Sequence, residues 1–189
     1  TTAVLCTATM PLLQTVNAAC GAIPISSHSS IIRDRAELFR KLKRTTIFNE
    51  CRPGGWTNAE IANHAQELQQ QHGSLLIVCN TKNSARDVFE LLKSKSDVPV
   101  IHLSTSMCPA HRRHKISAIR SKLDPANLTP VICISTQLIE AGVDLDFGCV
   151  IRSLAGLDSI VQAAGRCNRH GHRNMGFVHI LTFQDEKLH

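Results

Sequence analysis

Apolar residues along this chain fall into two patterns. Unbroken runs such as Leu75-Leu76-Ile77-Val78-Cys79, Val131-Ile132-Cys133-Ile134, Cys149-Val150-Ile151 and Phe177-Val178-His179-Ile180-Leu181 read as strands covered on both faces. Val4-Leu5-Cys6, Thr45-Thr46-Ile47-Phe48 and Val100-Ile101-His102-Leu103 read as further short strands. Between them run segments of helical character: residues 31–42, where Leu38 and Leu42 stand four apart, then 57–72, 84–93, the basic stretch 111–123, and 159–166. Thr57 and Glu60 have capping-box spacing, and Pro53-Gly54-Gly55 interrupts the chain just before them. Buried strands alternating with helices predict an α/β fold, a mostly parallel sheet with helices on both faces. In such sheets the loops beyond the carboxyl ends of the strands carry function.

At 189 residues the chain fits one sizeable core with short appendages, and 43% hydrophobic against 19% charged residues excludes a disordered segment. No apolar run approaches the roughly 20 residues that cross a bilayer, so no membrane partner is expected. The formal charge of +6 admits a polyanion as partner. With 4% aromatic residues and no Tyr, base stacking is a poor means of holding nucleic acid, which leaves phosphates and hydroxyls. Thr1-Thr2-Ala3-Val4-Leu5 reads as mid-protein sequence, the start of a fragment. Eight cysteines without a Cys-x-x-Cys, three of them inside the strand runs, fit reduced thiols of a cytoplasmic protein. Cys108, His111 and His114 offer three donors to a metal with no fourth in view, so no metal site is assigned.

Two segments carry the chemistry. Gln162, Arg166 and Arg169 are spaced by four and three, so a helix reaching that far would put them on one face. Two guanidiniums beside an amide then offer a planar donor array to triphosphate oxygens; the competing reading is a solvated basic face. Ser135 and Thr136 place hydroxyls and backbone amides at a strand end, suited to a nucleic-acid phosphate, or simply to capping a strand-turn-helix junction. Asp144, beyond Gly142, accepts from a ribose hydroxyl or pairs with an arginine. His102-Leu103-Ser104-Thr105-Ser106 ends another strand in donors, with Arg112, Arg113 and Lys115 following; Thr81 and Lys82 extend the same track.

Thr7-Ala8-Thr9-Met10-Pro11, His102 to Thr105, Ser135 to Asp144 and Gln162 to Gly171 together resemble the CRISPR-associated helicase-nucleases of type I systems, within helicase superfamily two. The resemblance implies a RecA-like three-layer sandwich, the second lobe of an ATP-driven single-strand DNA translocase; the alternatives are a non-catalytic nucleic-acid-binding module and a lobe of another superfamily-two DNA or RNA helicase. It implies residues 1–24 as the end of the first lobe and the linker, and 25–189 as the second lobe. By the same resemblance Arg166 and Arg169 approach the ATP γ-phosphate, and Gln162, Gly142 and Asp144 line the nucleotide cleft. Thr81, Ser104 and Thr136 match positions that touch single-stranded DNA, and Thr7 and Thr9 couple the lobes. ATP and Mg2+ are the implied cofactors, held mainly by the first lobe. The implied partners are that lobe, single-stranded DNA and the RNA-guided surveillance complex. The chain itself holds no Gly-x-x-x-x-Gly-Lys-[Ser/Thr] loop and no Asp-Glu pair closing an apolar strand. Alone it is therefore expected neither to hydrolyse ATP nor to cut DNA, and Val4 to Cys6, without strand partners, is expected to fray or to be borrowed by another surface.

Overall fold

The computed structural model describes residues 34–139 and 143–186. Thr7, Thr9, Gly142 and the expected strand at Val4 to Cys6 lie outside the described residues. The chain separates at Lys43 and Arg44 into two units. In the first, helix α1 (Arg35–Lys41) starts at Asp34, whose carboxylate accepts from Glu37 N at 3.0 Å.

The second unit is built as the apolar runs predict. Among the described residues its strands are β1 (Thr45–Asn49), β2 (Ser74–Val78), β3 (Val100–Leu103), β4 (Val131–Ser135), β5 (Cys149–Ser153) and β6 (Gly176–Leu181). Its helices are α2 (Asn58–His72), α3 (Lys82–Lys95), α4 (Pro109–Lys122) and α5 (Leu157–Ala164). The sheet order is β1-β6-β5-β2-β4-β3, and each adjacent pair is parallel. The unbroken runs occupy its centre: β2, β4 and β5 are buried at every residue, whereas β1 and β3, at the two edges, are only partly covered.

Alternate residues of the central strands feed opposite layers. Leu75, Ile77, Ile132, Ile134 and Ile151 pack with Ile61, Ala65 and Leu68 of α2 and Val88 and Leu92 of α3. Leu76, Val78, Cys133 and Val150 pack with Ile119 of α4 and Ala163 of α5 on the other face. Full burial of each such aliphatic side chain stabilises by about 1.5–3 kcal/mol, so these two layers hold the sheet between its helices. The Thr57–Glu60 capping box forms in both directions, and α2 stops at Gly73, whose φ of 77° suits glycine. Pro109 opens α4 two residues earlier than its periodicity indicates, since proline is well placed in a first turn. The parallel arrangement brings the carboxyl ends of the strands to one edge, where Thr81, Ser104 and Thr136 follow β2, β3 and β4.

Candidate functional site

Ser135, at the end of β4, lies in register with Val78 of β2 on one side and Leu103 of β3 on the other. The three chains leave the sheet side by side, and each carries one predicted hydroxyl: Thr81 after β2, Ser104 after β3, Thr136 after β4. Thr81 is exposed and caps α3, its Oγ1 accepting from Ser84 N at 3.1 Å. Ser104 Oγ accepts from Ser106 N at 3.2 Å, and Lys82 Nζ donates to Ser106 Oγ at 3.3 Å, tying the β2 and β3 exits together. A hydroxyl that accepts a backbone N–H keeps its own O–H for an external acceptor such as a phosphate oxygen. Thr136 is buried, and its carbonyl receives Ile139 N at 3.3 Å to start a single 3₁₀ turn, Gln137–Ile139. Behind β3, burial holds the His102 imidazole below its ordinary pKa, with a smaller push from the Lys115 ammonium; Phe89 stacks on its ring.

The arginine segment is arranged differently from the sequence expectation. Helix α5 ends at Ala164, with Gly165 as its C-cap, so Arg166 and Arg169 are not on the helix that carries Gln162. They lie in a segment that runs beside Phe147: Phe147 N donates to Arg166 O and Asn168 N to Phe147 O, both at 2.9 Å. Asn168 adopts a φ of 47°, a left-handed conformation that asparagine tolerates better than most residues. Its side chain fixes the turn by donating to Arg44 O at 3.1 Å and Arg173 O at 2.7 Å, while accepting from Arg173 N at 3.0 Å. Asp146, buried, accepts the backbone N–H groups of Arg169 at 2.7 Å and His170 at 3.3 Å. Neither Asn168 nor Asp146 was singled out in the sequence.

The two arginines then diverge. Arg166 is 7% exposed and its Nε donates to Ile139 O at 2.9 Å, clasping the turn that follows Thr136. Arg169 keeps an exposed guanidinium, whose Nε donates to Asp144 Oδ1 at 2.7 Å, and Arg44 Nη1 donates to Arg169 O at 2.7 Å. Among the described residues, the segment 135–144 is thus joined to the segment 162–171 at Ile139 and at Asp144. Of the two roles open to Asp144, pairing with an arginine is the one realised. The Arg169 hydrogen bond, aided by the positive fields of His170 and Arg120, holds the Asp144 carboxyl below the ordinary carboxylate range. A cleft of about 280 Å³ opens beside the pair, lined by Asp124, Asp144 and Asp146 with Arg120, His170 and His172. Gln162 is half-buried on α5.

A third group, at the carboxyl ends of β2 and β5, has no sequence signal. Arg152, wholly buried at the end of β5, donates from Nη1 to Asn80 Oδ1 at 2.7 Å and Ser153 O at 2.9 Å. Asn80 Nδ2 donates to Leu154 O at 2.8 Å, and Ser153 Oγ donates to Glu186 Oε2. Glu186 Oε1 accepts Asn80 N at 2.8 Å and Thr81 N at 3.1 Å, which sets the backbone that presents Thr81. Residues 80, 152, 153 and 186 meet only through the sheet order.

Residues 71–172 match the family model described as CRISPR-associated nuclease/helicase Cas3, C-terminal. The chain is 47% identical over 92 residues to a Haloferax volcanii CRISPR-associated nuclease/helicase Cas3, covering 48% of this chain and 10% of that protein. It is 30% identical over 115 residues to the Methanothermobacter thermautotrophicus protein of the same name, covering 59% of this chain and 13% of that one. The crystal structure of T. fusca Cas3-AMPPNP superposes with a TM-score of 0.62 at 20% identity, over 77% of this chain and 19% of that one. The chain therefore spans only about a tenth of the length of the curated relatives it matches. Six parallel strands in this order, with that likeness, make the fold RecA-like α/β.

Proposed function

Because this chain belongs to the CRISPR-associated nuclease/helicase Cas3 C-terminal family, we propose that it is the second motor lobe of an ATP-dependent single-strand DNA translocase acting in CRISPR interference. In this reading the lobe comprises residues 25–189, and Thr7 and Thr9 of the preceding segment couple it to a first lobe that holds most of the ATP and its Mg2+. Arg166 and Arg169 approach the γ-phosphate, with the exposed Arg169 as the finger. Gln162, Gly142 and Asp144 line the nucleotide cleft, while Thr81, Ser104 and Thr136 follow the DNA backbone. The RNA-guided surveillance complex delivers the strand.

The observation that supports this reading best is the double bonding between the two motifs, Arg166 to Ile139 and Arg169 to Asp144. It links a segment that starts beside Thr136, in the row of strand-end hydroxyls, to a segment that presents an exposed guanidinium. A nucleotide that draws Arg169 off Asp144 releases one of the bonds on the segment leading back to Thr136. That is a route by which phosphate chemistry alters the grip on a strand. A guanidinium brought to the transferring phosphoryl group stabilises its developing charge, for roughly 10³–10⁵ in rate.

The test is single-strand-stimulated ATP hydrolysis by the longer protein containing both lobes, with and without Arg169→Ala. A drop of about 10³, or about 4 kcal/mol of transition-state stabilisation, is expected. Unchanged turnover makes Arg169 structural and leaves a nucleic-acid-binding lobe without ATP coupling. The 189-residue chain alone is expected to show no turnover, since the phosphate-loop and acidic motifs are absent from its sequence.

A further inference from the structure

Away from the nucleotide and DNA residues, three metal-ligating side chains converge between β1, α2 and β6. Glu50 directly follows β1, His64 lies on α2 and His179 on β6. Glu50 Oε1 is 2.8 Å from His179 Nδ1, and Glu50 Oε2 is 3.1 Å from His64 Nε2. One donor atom from each residue lies within 4.8 Å of the other two. The group is largely shielded, with His179 9% exposed at its side chain, His64 19% and Glu50 30%. We propose that Glu50, His64 and His179 form a binding site for a divalent transition-metal ion of the zinc class.

The donor set and its rigidity argue for a cation. Two imidazole nitrogens and one carboxylate oxygen suit a borderline-soft divalent ion in tetrahedral geometry, with water in the fourth position. Bonds of about 2.0–2.1 Å in a tetrahedral shell set neighbouring donors roughly 3.3 Å apart. The two carboxylate–imidazole separations need to open by only a few tenths of an ångström to admit one, and the two imidazole nitrogens, within 4.8 Å of each other, complete the set. The side chains are also held. Phe48 stacks on His179 at 5.0 Å, Trp56 lies 5.2 Å from His64, and the two imidazoles meet edge to face at 5.5 Å. Trp56 Nε1 donates to Glu50 O at 2.9 Å and Glu50 N donates to Ile180 O at 3.0 Å, which fixes the carboxylate's backbone on both sides. Glu67 Oε2 stands 3.7 Å from His64 Nδ1. An ion would displace to solvent the Nε2 proton that now bridges to Glu50 and leave the ring N–H on the Nδ1 side, toward this outer carboxylate, as in metal-bound histidines. The ion would tie the sheet edge at β1 to the helix layer and to β6. The inference does not depend on the motor reading.

The experiment is titration of the tag-free 189-residue chain with Zn2+ by calorimetry, and with Co2+ by visible absorption. One saturable equivalent is expected, with the absorption of a tetrahedral Co2+ site. Glu50→Gln, which preserves side-chain volume, and His64→Ala should each weaken binding by at least about 100-fold, the upper end of what loss of an outer-shell partner costs. His111→Ala combined with His114→Ala should leave binding unchanged. At Zn2+ about 100-fold above the dissociation constant, the melting temperature should rise by roughly 5–10 °C in the parent chain and not in Glu50→Gln. Binding that survives Glu50→Gln and His64→Ala together overturns the proposal. Absence of any saturable equivalent does so as well, and leaves two imidazoles sharing one carboxylate through hydrogen bonds alone.

Discussion

Replacing Glu186 by alanine tests whether the buried polar group at the ends of β2 and β5 is a structural joint. The carboxylate is 6% exposed and accepts three donors: the N–H groups of Asn80 and Thr81 and the hydroxyl of Ser153. Thr81 is exposed, so water can replace its bond at little cost. Asn80 is half-buried and Ser153 is 1% exposed, so their donors are stranded at about 1–2 kcal/mol each. With Asn80 and Ser153 also holding Arg152, a net loss of about 3 kcal/mol is expected from Glu186→Ala. That corresponds to a fall of roughly 6–12 °C in melting temperature for a domain of this size. Glu186→Gln keeps an acceptor for the two backbone N–H groups and should lose only about 1 kcal/mol. Urea unfolding followed by fluorescence suits the question, because the chain has a single tryptophan and Trp56 is bonded to Thr182 and Gln184, next to the substituted residue. Equal losses in the alanine and glutamine variants, or a loss below about 0.5 kcal/mol in Glu186→Ala, would refute the reasoning.

Other expectations are as specific. Ile77→Ala, at a wholly buried position of the central strand, should cost about 2–5 kcal/mol in the same urea assay. Asn168→Ala removes the side chain from three hydrogen bonds at a left-handed residue; a loss of about 2–3 kcal/mol is expected, with amide-exchange protection falling around residues 166–173. The Glu60 carboxyl sits at about 2 rather than 4.5, chiefly through its bond from the Thr57 backbone and then through Arg52. Its folded pKa is depressed, so its support of α2 is complete above pH 4.5 and lost as pH falls from there through about 2; Glu60→Gln, which removes the titrating group, should flatten that limb of a stability–pH curve. Burial lifts the thiols of Cys79, Cys133 and Cys149 well above their ordinary range, so mass-mapped alkylation at pH 8 should modify exposed Cys108 and spare these three until unfolding.

The layers were legible because fully buried parallel strands leave an unmistakable mark: β2, β4 and β5 are each a continuous apolar run. Thr57 and Glu60 likewise announce the start of α2 through a purely local interaction. The arginine segment was read less well. The spacing of Gln162, Arg166 and Arg169 invited one long helix, yet Gly165 breaks it, and the turn is held by Asp146 and Arg44, partners 23 and 125 residues away from Arg169. Periodicity carries no record of such contacts. For the same reason the Arg152–Asn80–Ser153–Glu186 group and the Glu50–His64–His179 group left no trace in the sequence. Each is assembled from elements far apart in the chain, by the order in which the strands lie.

The pairing of β1 with β6 also bears on how the lobe comes into being. Thr45 is in register with Gly176, so the first strand of the sheet finds its neighbour only when the last one exists. During synthesis from the amino end, β1 must wait through α2, α3, α4 and α5 with its backbone hydrogen-bonding edge unpaired, while β2 and β4 can already join. The lobe therefore closes late and from its far edge. A ribosome-stalled chain cut short before Gly176 should expose its β1 segment to proteases and chaperones, however complete the central strands are.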